Sequence, residues 1–326
     1  MVADVAGACV IGVDVGGTKL LAATVGPGFE VHDRVLRSSR VGGARELLEA
    51  VAELVQDVSA AAPGPVTAVG LGVACLFDGP LAVTGPNVPL ADLEVAAVMQ
   101  RRLGLPVFAD NDANTAALAE ARHGAGRHAS VMAMLTVGTG IGGGLVLDGE
   151  LFRGAVGAAA EFGHMVVDLD GPPCQGTCPN RGCLEAVASG TALIREALAV
   201  AGVRGDSALG QAVAEGVEPN ATVVAGLAEA GDAAAAEVLE RIGQRLGVGV
   251  SNLVNGLNPD VVVIGGGVGE ACGERLLGPV RQTVAERALP PSRDVVEIRG
   301  ASLGAAAGAL GAAALALDGL DRRAAA

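Results

Sequence analysis

The chain has 326 residues, 51% of them hydrophobic and 2% aromatic, with 36 acidic against 22 basic side chains and a net charge of −14. That balance excludes a nucleic-acid binder, which needs a basic face to neutralise phosphates. With no Trp, no Tyr and five Phe, rings on which bases or sugar faces stack are scarce. Apolar runs stay short of the ~18–20 residues of a membrane span, and Met1–Val10 has no basic residue, so neither a membrane partner nor a secretory signal is expected and the compartment is read as cytoplasmic.

Val10–Val15 reads as a strand, Gly16-Gly17-Thr18-Lys19 as a turn, Leu20–Val25 as a second strand and Val31–Arg37 as a third. Ala44–Ala61 has helical periodicity, with Leu47, Leu48, Val51, Leu54 and Val55 on one face. Val66–Val73 reads as a strand, Ala91–Leu103 as a helix, Pro106–Ala109 as a short strand and Ala113–Arg122 as a helix. Then the pattern returns: strand Ser130–Val137, turn Gly138–Gly144, strand Leu145–Leu147. Strand, Gly-rich turn and strand recurring about 120 residues on predict a duplicated α/β unit with one such hairpin in each copy.

A Cys-rich loop at 171–183 follows, then a broken helical stretch over 184–247, the segment Asn252–Pro259 and a strand at Val261–Ile264. Gly265-Gly266-Gly267 leads into another helix, and the Ala-rich tail Ala301–Leu317 reads as a helix with a frayed end over Asp321–Ala326. The expected division is a smaller N-terminal α/β domain, 1–115, and a larger C-terminal one, 116–326, whose last helix packs back on the first.

Gly-rich turns let backbone amides surround an anion. No Gly-Lys occurs, so there is no Walker A loop. Gly138, Gly140 and Gly143 fit G-x-G-x-x-G, but the run leads into a strand, where a dinucleotide fingerprint opens a helix. Reactive residues set these turns apart from plain hairpins. Asp14 at a strand end suits Mg2+ held through water, Thr18 and Thr139 suit phosphate oxygens, and Lys19, the only lysine, suits developing charge. Gly266 and Gly267, between strand and helix, suit a nucleotide.

Asp110-Asn111-Asp112-Ala113-Asn114-Thr115 is a polar burst between a strand and a helix. Asp112 is a helix cap on one reading and the carboxylate that takes a sugar hydroxyl's proton on the other. His164, Cys174, Cys178 and Cys183 supply one imidazole and three thiolates, a set for a closed structural zinc site rather than a cytosolic disulfide. Glu161-Phe-Gly-His164 has di-iron spacing without the second copy such a site needs. Cys9, Cys75 and Cys272 read as buried thiols, and Glu161 and Glu185 on residue type alone as solvated charges.

Asp14-Val-Gly-Gly-Thr-Lys19, Asn111-Asp112-Ala-Asn-Thr-Ala-Ala-Leu-Ala-Glu120 and Thr136-Val-Gly-Thr-Gly-Ile-Gly-Gly-Gly144 together resemble the motifs of the ROK family of sugar kinases and repressors. Glu161-Phe-Gly-His164, Cys178-Pro-Asn-Arg-Gly-Cys183-Leu-Glu185, Asn255-Gly-Leu-Asn-Pro259 and Val263-Ile-Gly-Gly-Gly267 extend the likeness over about residues 10–310. The resemblance implies the two-domain actin/hexokinase-like fold, a duplicated ribonuclease H-like α/β unit with an interdomain cleft. It implies ATP and Mg2+, a hexose such as glucose, Asp112 as general base, and zinc on His164 and the three cysteines. It implies Asn111, Glu161, His164, Glu185 and Asn87 as partners of sugar hydroxyls, and a homodimer or homotetramer. N-acetylmannosamine, N-acetylglucosamine, fructose or allose as substrate, polyphosphate as donor, and a non-catalytic sugar sensor are the alternatives.

Three departures from the family pattern stand out. The Cys174–Cys178 spacing is two residues longer than the usual Cys-x-Cys. Ala74–Gly79 lacks the usual Pro-Gly turn. Leu90-Ala91 replaces Gly-Trp near Asn87.

Overall fold

A computed structural model describes residues 7–38, 42–85 and 88–325. In chain order it contains β1 (Cys9–Val15), β2 (Lys19–Val25), β3 (Val31–Ser38), α1 (Ala44–Ala61), β4 (Val66–Val73), β5 (Leu76–Asp78), β6 (Leu81–Thr84), α2 (Val95–Leu103), β7 (Val107–Asn111) and α3 (Asp112–His123). Next come β8 (Val131–Val137), β9 (Ile141–Leu147), β10 (Glu150–Leu151), α4 (Leu184–Ala188), α5 (Gly190–Val203), α6 (Ala208–Ala214), α7 (Ala221–Glu229) and α8 (Ala233–Leu257). The remainder is β11 (Val261–Gly265), α9 (Gly266–Cys272), α10 (Glu274–Arg287), α11 (Ser292–Val295), β12 (Glu297–Gly300) and α12 (Ala307–Ala325).

The chain forms two compact units. Residues 1–123, 149–159 and 305–326 make the first, and 124–148 with 160–304 the second. A boundary at 115/116 would cut α3, which stays whole in the first unit.

The first unit is built on a sheet of order β3-β2-β1-β4-β7. β1 and β2 pair antiparallel, while β1–β4 and β4–β7 are parallel. β1 and β4 are nearly continuous in buried apolar residues because helices cover both faces. One face carries Ile11, Val13, Leu71 and Val73 against Leu47, Val51, Leu54 and Val58 of α1. Each of these side chains is worth about 1.5–3 kcal/mol on full burial.

The opposite face of that sheet is glycine and carboxylate. A Cβ on Gly12 would lie 1.9 Å from Ala309 O, and one on Gly70 1.7 Å from Ala312 O. A Cβ on Gly311 would lie 1.6 Å from Thr115 O. Those three positions let the backbone of α12 lie directly on β1, β4 and α3.

In the second unit the strands run β9-β8-β11-β12, with β8–β9 antiparallel and β8–β11 and β11–β12 parallel. This repeats β2-β1-β4-β7. The long α8 buries Val238, Leu239, Ile242, Leu246 and Val250 in this unit's core. It is capped by Asp232, whose Oδ1 accepts from Ala235 N at 2.7 Å, and ends at Asn258 in the left-handed region. Among the described residues no helix is long and apolar enough to cross a membrane.

Four sequence expectations change. α2 starts at Val95, not Ala91, because Ala91–Glu94 is held as a turn by the Ala82–Leu93 bridge with Asp92 at φ +62°. Gly142–Gly144 are ladder residues of β9, not part of the turn. A Cβ on Gly143 would sit 2.3 Å from Ala160 O, so close packing explains that glycine. α8 runs on to Leu257 and takes up Asn252–Leu257. The tail is helical to Ala325, where Arg323 lies over the Phe108 ring and donates to Gln100 Oε1.

Candidate active site

The register of the first sheet sets one row of the site. Asp14 on β1 pairs with Gly72 on β4, and Gly72 pairs with Asp110 on β7, so two carboxylates share one rung and one face. Gly72 leaves room there for Thr115, whose Oγ1 would be 2.4 Å from an added Cβ. The first turn of α12 closes over Asp14, since a Cβ on Gly308 would come 2.8 Å from its carboxyl carbon.

Asp112 begins α3, and the residue that caps this helix is its neighbour. Asn111 does the capping: its Oδ1 accepts from Ala113 N at 2.8 Å and from Asn114 N at 3.1 Å, while its Nδ2 donates to Cys75 O at 3.1 Å. One oxygen of Asp112 accepts from Ala113 N at 2.9 Å. Burial pushes the Asp112 carboxyl above the usual carboxylate range, against the lowering pull of these hydrogen bonds. Burial, then the nearby Asp112 charge, pushes Asp14 up to about 7. The same two causes push the Cys75 thiol up to about 11, which leaves it inert.

Asp110 holds this arrangement in place. Its Oδ1 accepts from Asn111 N at 2.8 Å and Asn114 Nδ2 at 2.9 Å, and its Oδ2 pairs with Arg153 Nε at 2.7 Å. Sequence reasoning missed Arg153, because nothing local connects it to a segment 43 residues earlier. Gly16 N donates to Lys19 O at 3.1 Å, closing the first Gly-rich turn with Thr18 and Lys19 exposed. Asn87 lies outside the described residues.

In the second unit the turn Gly138–Gly140 closes with Gly138 N donating to Gly140 O at 2.9 Å. Gly190 N, at the start of α5, donates to Gly138 O at 2.7 Å, and Thr191 Oγ1 to Thr139 O at 2.9 Å. Gly266, at φ +81°, comes against the end of β8: a Cβ would lie 2.5 Å from Val137 O. The third glycine turn is thereby brought beside the second, and Gly267 faces open space.

Glu185 is not a solvated charge. Its Oε2 accepts from Ile141 N at 2.8 Å, and a Cβ on Gly140 would lie 2.1 Å from that oxygen. His164, Cys174, Cys178 and Cys183 converge, their ligand atoms all within 4.8 Å of one another. Cys174 Sγ is 3.5 Å from His164 Nδ1, and the Cys178 and Cys183 sulfurs are 3.9 Å apart. Tetrahedral zinc with bonds of ~2.3 Å to sulfur and ~2.0 Å to nitrogen separates such atoms by roughly 3.8 and 3.5 Å. The donor set and its spacing are therefore compatible with structural zinc, longer Cys174–Cys178 loop included. Nδ1 faces the cluster, which leaves His164 Nε2 on the other side, 4.0 Å from Glu161 Oε2. Sequence reasoning also missed Gln175, Ser189 and Thr191, ordinary polar residues with no motif to mark them.

The model of the ROK family matches residues 10–319. The chain is 36% identical over 308 residues to a glucokinase of Halalkalibacterium halodurans, covering 92% of each chain. It is 35% identical over 308 residues to a glucokinase of Thermotoga maritima, covering 94% of this chain and 96% of that one. Among solved structures it is similar to a ROK family glucokinase of Streptomyces griseus in complex with glucose and AMPPNP, with a TM-score of 0.83 and 33% identity over 95% of this chain and 99% of the other.

Proposed function

The chain belongs to the ROK family, and on that footing we propose that it is an ATP-dependent kinase that converts free glucose to glucose 6-phosphate. The observation that carries the reading is Asp112, whose raised pKa makes it a stronger proton acceptor than an ordinary carboxylate and whose capping duty falls to Asn111. Relatives that match over nearly their full length include two glucokinases, and one similar solved structure holds glucose and an ATP analogue.

In this reading Asp112 accepts the proton of the attacking hydroxyl as the bond to phosphorus forms. Asp110 and Arg153 hold the start of α3 so that the carboxylate keeps its aim. Asn111, Glu161, Glu185 and the Nε2 face of His164 hydrogen-bond sugar hydroxyls, together with Asn87. The turns at Gly16–Lys19 and Gly138–Gly140 receive phosphates, and Gly266–Gly267 the nucleoside side. When bound with ATP, Mg2+ supplies charge neutralisation on the phosphates. Asp14 would hold it, since burial raises both Asp14 and Asp112 and the Asp112 charge raises Asp14 further, a condition that a divalent cation relieves. Zinc, when bound, supplies a fixed hub for the loop that carries His164 and leads to Glu185.

A coupled ADP-release assay over glucose, N-acetylmannosamine, N-acetylglucosamine, fructose and allose tests the proposal, with polyphosphate tried as donor. Turnover highest with glucose and ATP is expected. Preference for another sugar would replace the substrate, and glucose binding without any ADP release would favour a sugar sensor.

A further inference from the structure

The turn at Gly138–Gly140 owes its orientation to what stands behind it. The carbonyls of Gly138 and Thr139 both accept from the start of α5, from Gly190 N and Thr191 Oγ1. In a planar trans peptide the N–H points opposite to the C=O. The amides of Thr139 and Gly140 therefore face away from α5 as two adjacent donors, the arrangement that cradles an anion. The next amide, Ile141 N, is already taken by Glu185 Oε2.

Gln175 is seated behind this turn. Its Nε2 lies 3.2 Å from Ser189 Oγ and 3.5 Å from Thr139 O, and its Oε1 lies 3.4 Å from Thr191 Oγ1, whose one hydrogen goes to Thr139 O at 2.9 Å. Ser189 Oγ itself caps α5, accepting from Ala192 N at 3.3 Å. Gln175 thus touches the Thr139 carbonyl and the Thr191 hydroxyl that, with the Thr191 amide at 3.4 Å, holds that carbonyl back. It also follows Cys174 directly, and Cys174 Sγ lies 3.8 Å from Glu185 Oε1. Two side chains, Gln175 and Glu185, connect the Cys/His loop to the turn, one through the Thr139 carbonyl and one through the Ile141 amide.

We propose that Gln175 is a positioning residue for the nucleotide phosphates: it holds the Thr139 carbonyl against α5 so that the Thr139 and Gly140 amides face the anion, and it makes the Cys/His loop part of the phosphate site. This rests on the kinase reading above. Gln175 touches no reacting atom in it, so its loss acts on nucleotide affinity and not on the chemical step.

The test is AMPPNP binding by calorimetry on Gln175→Ala and Gln175→Glu, with zinc content, glucose affinity and steady-state kinetics measured on the same preparations. Gln175→Ala removes one side chain's worth of hydrogen bonding, so AMPPNP affinity and KM for ATP should each worsen by about 3- to 10-fold. Glucose affinity, zinc content and kcat should stay at the wild-type level. Gln175→Glu should weaken AMPPNP further, because a carboxylate cannot donate to Thr139 O and adds like charge near the phosphates. Wild-type AMPPNP affinity in both variants overturns the inference and leaves the kinase reading standing. A parallel loss of zinc, glucose and AMPPNP binding overturns it too, because that marks support of the loop as a whole. A wild-type chain that binds no AMPPNP overturns the kinase reading itself.

Discussion

Asp14→Asn separates what this carboxylate costs the fold from what it gives the reaction. Burial, then the Asp112 charge, pushes Asp14 from 3.8 up to about 7. A carboxyl raised in the folded state favours folding while it is protonated. That contribution is complete below pH 3.8 and is lost as the pH climbs to about 7. At ~1.4 kcal/mol per pH decade, the span of roughly three decades gives a ceiling of about 4 kcal/mol above pH 7. The side chain keeps some exposure, so solvent screening brings the expected figure to about 2–3 kcal/mol. An Asn of the same shape carries no charge to desolvate and none to repel Asp112. Without Mg2+ or ATP, the variant should therefore be more stable than wild type at pH 8, with the advantage falling to roughly half at pH 5.5. Turnover should be lost at both. The chain has no Trp or Tyr, so urea unfolding is best followed by far-UV circular dichroism. An advantage that does not change with pH, or a variant less stable than wild type at pH 8, would refute the argument.

Asp112→Asn should keep glucose binding by calorimetry and lose about 10²- to 10⁴-fold in kcat. In the wild type, the acid limb of kcat/KM should fall at a pH above that of an ordinary carboxylate, because Asp112 is raised; a limb near pH 4 would contradict its role. Metal analysis should find about one zinc per chain. Cys183→Ser, which alters a buried ligand, should lose it, and a chelator should lower the thermal midpoint of wild type but not of that variant. Gly311→Ala forces a Cβ to within 1.6 Å of Thr115 O. It should cost about 3 kcal/mol or abolish soluble expression, and wild-type stability in urea would show that α12 does not lie so close.

Elements whose signal is local were legible. The α1 bounds follow from its apolar stripe, and β1 and β4 from short β-branched runs closed by turn residues. The convergence of His164, Cys174, Cys178 and Cys183 was legible because the four lie within 20 residues and their types form a set that suits zinc. What failed depends on distant partners. Asp92 takes its turn geometry from Ala82, which precedes the stretch read as helix, so the start of α2 was misplaced. Gly143 reads as a turn residue until Ala160 O is seen to press on it. The frayed-tail reading failed because the end of α12 is fixed by Phe108 and Gln100, more than two hundred residues earlier. For Asp112, spacing left cap and base open, and only the bonds of Asn111 decide which residue caps α3.

The duplication explains why one architecture yields two different chemistries. β1 and β8 are each seven residues long, and each pairs antiparallel with the next strand and parallel with a later one. At the penultimate position the first copy has Asp14 and the second Thr136. At the end of the outer parallel strand the first copy has Asp110-Asn111-Asp112, while the second has Gly300 and Ala301. The first copy thus concentrates carboxylates, with Asp14 raised by burial and then by the Asp112 charge, which suits proton transfer and a divalent cation. The second has no carboxylate at those two places, and its neutral amides at Thr139 and Gly140 are fit for phosphate oxygens. A carboxylate at Thr136 would set charge against the anion that those amides are arranged to receive. On the proposed reading, exchange of Asp14 with Thr136 should therefore lower both ADP release in the coupled assay and affinity for AMPPNP by calorimetry.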